Sequence, residues 1–314
     1  MPVPTGLIRK TTADTGLVEK PALAPHFGFH AIDDRQVFLV SESFNTLLHG
    51  QIYPDLLPLL DGRPSYRDIV TALAGAHSEP AVRTALVSLA SKGYVVSGEH
   101  GMEPGPAAFW TSLGASPRWA EERLAASSVT IGGEGGQLAK RLESMGVCVV
   151  ADGTDPALSI IVCDDYLDER HAGVNRRHIA SGAPWMLVRR GGLQPLFGPV
   201  FQSAKQGPCW ACLAYRLRGH QEIHNFLRNL TDHGIALAPR AAEPAALEAV
   251  EGVAAVEIAK WLVLEKAASI HGCAVSLDIA DLSIERHPVT RRPQCLACGD
   301  ESLHRPDRQP VPVR

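Results

Sequence analysis

Four cysteines are arranged in two closely spaced pairs, Cys209-Trp-Ala-Cys212 and Cys295-Leu-Ala-Cys298-Gly. Two thiolates three positions apart can reach one ion from a tight turn, and two such turns complete a tetrahedral shell. A redox dithiol or chance is the alternative for either pair alone, but thioredoxin-like motifs follow a strand and open a helix within a different pattern, and the presence of two pairs argues against both alternatives. We therefore predict one structural zinc ion held by all four thiolates, with no open position for an activated water.

The other three cysteines, Cys148, Cys163 and Cys273, lie in runs of apolar or small residues. A cysteine in such a run usually acts as a small buried hydrophobe, so these three are assigned no role. Seven cysteines, four of them in Cys-x-x-Cys pairs, are not the pattern of a secreted disulfide framework. The chain also lacks a signal peptide and any apolar run long enough to span a bilayer, which predicts a cytoplasmic protein without membrane contact.

A glycine-rich loop, IGGEGG at residues 131–136, follows a predicted strand and opens a predicted helix. Glycines occupy this place in loops that hold the phosphates of a nucleotide. Read as G-x-G-x-x-G from Gly133, however, the motif has Leu138 in place of its last glycine, and Glu134 would put a carboxylate beside any phosphate. Asp152 ends the next strand, where an acidic residue either meets a ribose or makes a turn. The loop is therefore a degenerate nucleotide site, and we do not expect this chain to bind ATP.

Two histidines four positions apart, His220 and His224, are the other candidate for a site on one helix face. Their sequence HQEIH resembles H-E-x-x-H, but Gln221 stands where that motif needs its glutamate. The chain also lacks a G-x-S-x-G elbow and a P-loop, the signatures of acyl hydrolysis and of ordinary phosphate binding. We interpret the pair as part of a helix surface.

These residues must be positioned by a chain of 314 residues, with 45% hydrophobic and 20% charged residues. That composition is typical of a folded globular protein, and the length predicts two or three domains. The formal net charge of −4 offers no broad attraction for DNA or RNA, and the basic pairs Arg189–Arg190 and Arg291–Arg292 are only local patches. No nucleic acid partner is expected.

The first domain is predicted over residues 23–98, after a flexible N-terminus at 1–22. Three short strands, HFGFHAI, QVFLVSE and SFNTLLHG, are separated by turn residues and form a small meander. Three helices follow, the second beginning at a capping box of Ser65 and Asp68, and the segment YVV then returns as a strand.

The second domain is predicted over residues 119–303. A stretch rich in glycine and proline, residues 99–118, is expected to be a linker, and the polar residues 304–314 a mobile tail. Between them, strands alternate with helices, which indicates an α/β domain with a mostly parallel sheet.

This α/β domain resembles the ThiF-like, Rossmann-type fold related to ubiquitin-activating enzymes. The resemblance covers about two thirds of the chain and lies in the glycine loop, in the helix GVAAVEIAKWLV, and in SIIVCDDYLDERHAGVNRRHIASGAPWMLV, where Asp165, Arg170 and Asn175 match the family's Asp, Arg and Asn. Paired cysteine knuckles are a zinc feature of its members. The segments CWACLAYRLRGHQE and RRPQCLACGD more specifically resemble proteins that accompany YcaO cyclodehydratases in making thiazole- and oxazole-modified peptides.

The resemblance also has a gap. Active members carry, between their second and third strands, an Asn-Leu-x-Arg-Gln motif and a lysine that bind ATP. Here only GTDPA separates Asp152 from Leu158, and no cysteine is evident for thioester chemistry. The resemblance therefore implies a non-catalytic scaffold. An adenylating enzyme that uses ATP to activate a peptide carboxylate is the alternative.

The first domain resembles the PqqD-like, winged-helix domain that recognises leader peptides in peptide-modifying systems, through QVFLVSESFNTLLHGQIYPDLLPLLDGRPSYRDIVTAL. The resemblance implies that an extended leader adds a strand beside the third predicted strand and packs apolar side chains against the third helix. Simple core packing is the alternative for those apolar positions. The candidate leader-binding residues are Phe44, Asn45, Thr46, Leu47, Leu48, Val82, Leu86 and Leu89.

Together the two resemblances imply a partner protein in the biosynthesis of bacteriocin-type modified peptides. The chain would bind the leader of a ribosomal precursor and present its Cys, Ser and Thr residues to a YcaO enzyme, which uses ATP to form azolines. An azoline dehydrogenase and a second copy of the chain are further expected partners. In fused relatives a YcaO domain follows the last knuckle, so we expect the enzyme here to be a separate protein or a domain outside this sequence. A leader-guided adaptor for another tailoring enzyme is a further alternative.

Overall fold

The structure is a computed structural model that describes residues 18–151, 155–202, 207–219 and 241–303. These residues belong to two compact units, which divide after Arg123. The predictions for Asp152, His220, His224 and the tail at 304–314 fall outside the described residues, as do residues 1–17 of the predicted N-terminal segment. Within the described ranges, no helix is both long enough and apolar enough to cross a membrane.

The first unit is built on the predicted three-stranded meander, which is confirmed. Its antiparallel sheet has the order β2-β3-β4, formed by Gly28–Ala31, Gln36–Val40 and Asn45–His49. The predicted returning strand is also present as β5 (Val95–Ser97), but it pairs with β1 (Pro21–Leu23) in a separate two-stranded sheet. The sequence placed Pro21 in the flexible N-terminus, because a proline reads as a loop residue when its strand partner is distant.

Helices close the core of this unit on one side of the meander. The capping box is confirmed, since the Ser65 Oγ accepts from the Asp68 N–H at 3.3 Å and an Asp68 oxygen accepts from the Ser65 N–H at 2.9 Å. Val37 and Leu39 of β3 face the helices and are fully buried. The helices are α1 (Ile52–Leu56), α2 (Tyr66–Leu73) and α3 (Glu79–Ser91), with a 3-10 turn at Leu57–Leu59.

The predicted linker at 99–118 contains helix rather than loop. Residues Pro104–Ser112 form α4, and α5 (Pro117–Ala125) follows. Each helix has its proline in the first turn, where no intrahelical partner awaits the missing N–H, so proline starts these helices instead of breaking them. Trp110 of α4 is 2% exposed, which is not expected of a linker residue.

The second unit contains a mixed sheet of seven described strands in the order β12-β11-β10-β9-β8-β6-β7. Its parallel half confirms the predicted strand–helix alternation, whereas the antiparallel half from β9 to β12 was not predicted. The strands are Ser128–Gly132, Cys148–Val149, Leu158–Val162, Trp185–Arg189, Leu196–Phe197, Cys273–Asp278 and Ser283–Pro288 for β6 to β12. The helices are α6 (Gly136–Ser144), α7 (Arg170–Ser181), α8 (Trp210–Gly219) and α9 (Pro244–Leu264), with 3-10 turns at Glu265–Ala267 and Glu301–Leu303.

The three cysteines without an assigned role are not buried as expected. Cys148 is exposed because its strand is a two-residue strand at the edge of the sheet, and Cys163 and Cys273 are only partly buried. An apolar run predicts a strand, but it does not tell whether both of its faces are covered.

Candidate metal centre and peptide-binding edge

The four predicted ligand cysteines meet at one buried point. Their sulfur atoms all lie within 4.8 Å of one another, and no side chain is more than 4% exposed. The sulfur–sulfur distances are 3.9 Å for Cys209–Cys212, 3.7 Å for Cys209–Cys295 and 3.5 Å for Cys212–Cys298. Sulfur atoms at about 2.3 Å from a tetrahedral ion are about 3.8 Å apart, whereas a disulfide needs about 2.05 Å. The donor set and its spacing therefore fit a tetrahedral metal ion.

Backbone groups hold both cysteine pairs in tight turns. The Cys209 carbonyl accepts from the Cys212 N–H at 3.0 Å, and the Cys295 carbonyl accepts from the Gly299 N–H at 2.7 Å. A side chain at Gly299 would put its Cβ within 2.5 Å of the Cys295 backbone, so only glycine fits this close approach.

The environment of the sulfur atoms favours at least one thiolate. Hydrogen bonds from the thiols of Cys209 and Cys298, together with the Arg292 N–H at 3.4 Å, hold the pKa of the Cys212 thiol below its ordinary value. A bound metal ion would replace the protons that the thiols otherwise share, because metal-bound cysteine is deprotonated. Four buried sulfur ligands also leave no position for water, which is typical of a structural site.

The predicted peptide-binding strand β4 lies at an edge of its sheet among the described strands. Gly50 N–H donates to the Arg35 carbonyl at 2.7 Å, and Ser41 N–H donates to the Phe44 carbonyl at 3.0 Å. Because hydrogen-bonded pairs alternate along an antiparallel ladder, Asn45, Leu47 and His49 are the β4 residues in pairs without such bonds. Their N–H and C=O groups point away from β3, towards the open edge.

The side chains proposed to contact the peptide fall into two groups. Leu48, Val82, Leu86 and Leu89 are at most 4% exposed and belong to the core of the first unit, as the core-packing alternative supposed. By contrast, Phe44 is 45% exposed, Asn45 is exposed, and Thr46 and Leu47 are partly exposed. The surface part of the predicted site is therefore the segment from Phe44 to Leu47.

A cleft of about 900 Å³ opens at the glycine loop of the second unit. A Cβ at Gly133, whose φ is +83°, would lie 2.2 Å from the Val162 carbonyl oxygen, and one at Gly135 would lie 2.5 Å from Ile131. Two of the loop glycines are thus required by close packing against β8 and β6, independently of any phosphate. Five carboxylates and three guanidinium groups line the cleft, a balance that disfavours a polyphosphate: Glu134, Asp155, Asp164, Asp165, Asp168, Arg170, Arg177 and Arg190.

One of these guanidinium groups, that of Arg190, forms ion pairs with two carboxylates. Arg190 pairs with Glu251 of α9 at 2.9 Å and with Glu134 of the glycine loop at 3.1 Å. Glu251 is 1% exposed, so its carboxylate depends on Arg190 for compensation. The sequence recorded Arg190 only as part of a basic patch, because its partner lies 61 residues away.

The three residues that carried the family resemblance have local structural roles. Asp165 accepts from the Leu167 N–H at 2.9 Å. Arg170 binds Asp168 through its guanidinium group and lowers the pKa of that carboxyl to about 2. Asn175 is buried, and its Oδ1 accepts from the Trp210 N–H at 3.0 Å, so it ties α7 to the start of the helix that follows Cys209.

Comparisons with known proteins agree with this architecture. A family model described as a winged helix-turn-helix domain matches residues 22–97, which span β1 to β5. A solved structure of a heterocyclase in complex with substrate and cofactor is 32% identical, with a TM-score of 0.83; the match covers 91% of this chain and 40% of that one. The chain is a structural relative of the heterocyclases. The structure of the heterocyclase TruD gives the same identity and TM-score and covers 94% of this chain and 45% of that one.

This chain spans less than half the length of the two heterocyclase chains that it matches. It matches nearly the whole of E. coli MccB at lower similarity: the structure with ATP is 12% identical with a TM-score of 0.63, covering 89% of this chain and 99% of that one. That likeness concerns the fold alone. A comparison with curated protein sequences finds no match.

Proposed function

We propose that this chain captures the leader of a ribosomal precursor peptide and presents the peptide to an azoline-forming heterocyclase. The observation that carries the proposal is the 32% identity, over 91% of this chain, with a heterocyclase solved in complex with its substrate. The matched region is 40% of that protein. We propose that a YcaO cyclodehydratase, either a separate protein or a domain outside this sequence, supplies the ring-forming chemistry.

Capture would occur by strand addition at β4. The free N–H and C=O groups of Asn45, Leu47 and His49 offer backbone hydrogen bonds to an extended leader, whatever its sequence. Phe44 and Leu47 supply apolar contacts beside this edge. Such a mode binds one short segment of the leader and leaves the rest of the peptide free to enter another active site.

The companion enzyme would then close the rings. The thiol of Cys, or the hydroxyl of Ser or Thr, attacks the carbonyl carbon of the preceding residue, and ATP activates the carbonyl oxygen, which leaves as phosphate. Each ring thus costs the peptide one water. Tethering the leader raises the local concentration of the core at the enzyme, so this chain would accelerate the reaction without touching the reacting atoms.

Zinc is the metal we propose for the four cysteines, because a buried tetrahedral set of four thiolates is its usual structural site. Cys209 and Cys295 are 86 positions apart, so the ion would join the start of α8 to the segment that follows β12. An azoline dehydrogenase and a second copy of the chain complete the set of proposed partners.

The experiment is reconstitution with a candidate precursor peptide and a YcaO enzyme. Fluorescence polarisation with a labelled leader should give saturable binding to this chain, and mass spectrometry should register a loss of one water per ring only when chain, enzyme, ATP and leader are all present. A leaderless core peptide is the control. Equal ring formation without this chain would refute the proposal.

A second candidate, adenylation of a peptide carboxylate, is favoured by the cleft at the glycine loop and by the shared fold with MccB. The excess of carboxylates in the cleft and the ion pairs of Arg190 argue against it. Calorimetry with ATP and magnesium, followed by a pyrophosphate assay with the precursor peptide present as the carboxylate acceptor, separates the two candidates. Saturable ATP binding with release of pyrophosphate in the absence of a YcaO enzyme would establish adenylation.

A further inference from the structure

The meander of the first unit has an apolar outer face that its core does not use. On β3, Val37 and Leu39 point into the core, while Phe38 and Val40 point the other way and are 40% and 46% exposed. Large apolar side chains at two of the three outward positions of a central strand, the third being Gln36, are not needed for this unit to bury its core. Something that lies on this face would bury them.

The register of the sheet brings a third apolar side chain into line. Leu47 of β4 is directly opposite Phe38, in a pair without hydrogen bonds, where side chains lie closest together. Asn45 is opposite Val40 in the same way. We call Phe38, Val40 and Leu47 the outer platform; it runs from the middle of the sheet to the open edge of β4.

An added strand must place side chains on this face. Residues alternate between the two faces of a sheet, so peptide residues opposite Asn45, Leu47 and His49 would all project outward. The residue opposite Leu47 would continue the row of Phe38 and Leu47, whereas its neighbours on the same face would meet Asn45 and His49, which are polar. Of the three outward positions on the peptide, the one opposite Leu47 therefore differs from the two opposite Asn45 and His49, because it alone continues an apolar row.

We infer that the outer platform is a specificity site for the leader, and that it selects a large aliphatic or aromatic side chain at the single position opposite Leu47. This inference rests on the proposed capture of a peptide by β4. It adds Phe38 and Val40, one strand away from the edge, to the residues that recognise the peptide, and it defines the pattern polar, x, apolar, x, polar for the paired segment.

The test is selection of displayed random peptides of about twelve residues, long enough to pair along β4, on the immobilised full chain. Wild type is compared with Phe38→Ser and with Ile32→Ser. Ile32 is the matched control, since it is a large apolar residue that is 49% exposed, against 40% for Phe38, and lies just after β2, at the opposite edge of the sheet. Thermal melts check that both variants fold, which is expected because neither residue is in the core.

Peptides selected on the wild-type protein should carry a large apolar residue at one position. These peptides should bind the Phe38→Ser variant about tenfold more weakly and the Ile32→Ser variant with unchanged affinity. Replacing the selected apolar residue of the peptide with serine should weaken its binding to the wild-type protein. The same replacement should cause little further loss of affinity for the Phe38→Ser variant, because the two side chains contact each other. An unchanged consensus on Phe38→Ser, or fully additive losses, would overturn the platform while capture at β4 stands. Failure of wild type to select any peptide would overturn both proposals.

Discussion

Gly299 illustrates how one residue without functional groups can decide the chemistry of four cysteines. It follows Cys298 directly, and its α-carbon lies so close to the backbone of Cys295 and to the carbonyl of Pro293 that no side chain fits. The turn that aims Cys295 and Cys298 at the same point depends on this approach. Metal binding should therefore be sensitive to a methyl group that never touches the metal.

We expect Gly299→Ala to lower the zinc content from about one ion per chain to well below half, because the added Cβ displaces the second cysteine pair. Gly207→Ala is the matched control, since Gly207 lies two positions before Cys209 and has open space around it. Plasma mass spectrometry of the purified variants measures the metal. Full zinc occupancy in Gly299→Ala would show that the turn is less constrained than its geometry indicates.

The ion pair of Arg190 with buried Glu251 should contribute to the free energy of unfolding, whereas its pair with exposed Glu134 should contribute little. Replacing it with Met leaves the Glu251 carboxylate buried without its counter-charge, which is expected to cost about 3–5 kcal/mol. Glu134→Gln removes an exposed partner and should cost less than about 1 kcal/mol. Urea unfolding of both variants provides the comparison; equal effects would mean that Glu251 is compensated by another group.

These two sites also mark what sequence reasoning can reach at the residue scale. The cysteine pairs were predictable because metal-ligand spacing is local, and each half of the site is recognisable by its own Cys-x-x-Cys motif. The pairing of Arg190 with Glu251 was not, because it joins the residue after β9 to the middle of α9 and has no local signature. Likewise, the spacing of apolar residues placed Val82, Leu86 and Leu89 on one face of a helix, and Leu48 was placed on a strand. The sequence did not show that these four side chains are covered by the core of the first unit.

At the scale of elements, β4 is the strand on which the proposed function depends, and its geometry permits a specific test. The Leu47 N–H points to the open edge and takes no part in pairing with β3. A proline at an edge position of this kind removes the free donor without breaking a ladder bond. We expect Leu47→Pro to lower leader affinity at least tenfold while the melting temperature changes little.

Leu47→Ala separates the lost donor from the lost side chain in this test. It should weaken binding less than Leu47→Pro, because the backbone hydrogen bond to the peptide remains. Polarisation assays with the labelled leader measure both variants. Equal affinities for the two variants would indicate that Leu47 contributes only its side chain, and that the leader does not pair with β4 there.

Elements differed in how far the sequence could predict them. The meander and the capped helix α2 were predictable because their turn and cap residues are specific and lie next to the element they delimit. Helices α4 and α5 were missed because Pro104 and Pro117 indicate a loop when the sequence is read alone. Proline breaks a helix in its interior but is favoured in the first turn, where both of these prolines lie. Of the antiparallel strands that were missed, β10 has only two residues, and its partner β11 comes from a distant part of the chain. Strands β11 and β12 form a hairpin, but β12 is exposed at all six positions and so lacks the alternating apolar pattern of a half-buried strand.

At the scale of the whole molecule, the two units use different means of stabilisation. The first has a continuous apolar core of strands and helices and none of the four ligand cysteines. In the second, the cysteines join segments 86 positions apart, so a bound ion removes much of the freedom that the unfolded chain would otherwise have. Without the ion, four thiols remain crowded in a buried site that offers few other partners.

Removal of the metal should therefore affect the units unequally. We expect a chelator to lower the unfolding temperature of residues 124–314 and to make them sensitive to protease, while residues 1–123 stay resistant and leader affinity changes less than about twofold. Limited proteolysis with mass spectrometry locates the cuts, and polarisation measures the leader on the same sample. Ring formation with the companion enzyme should nevertheless fall, because presentation of the peptide needs both units. If leader binding were lost together with the metal, capture would depend on the second unit, and β4 alone could not be the site.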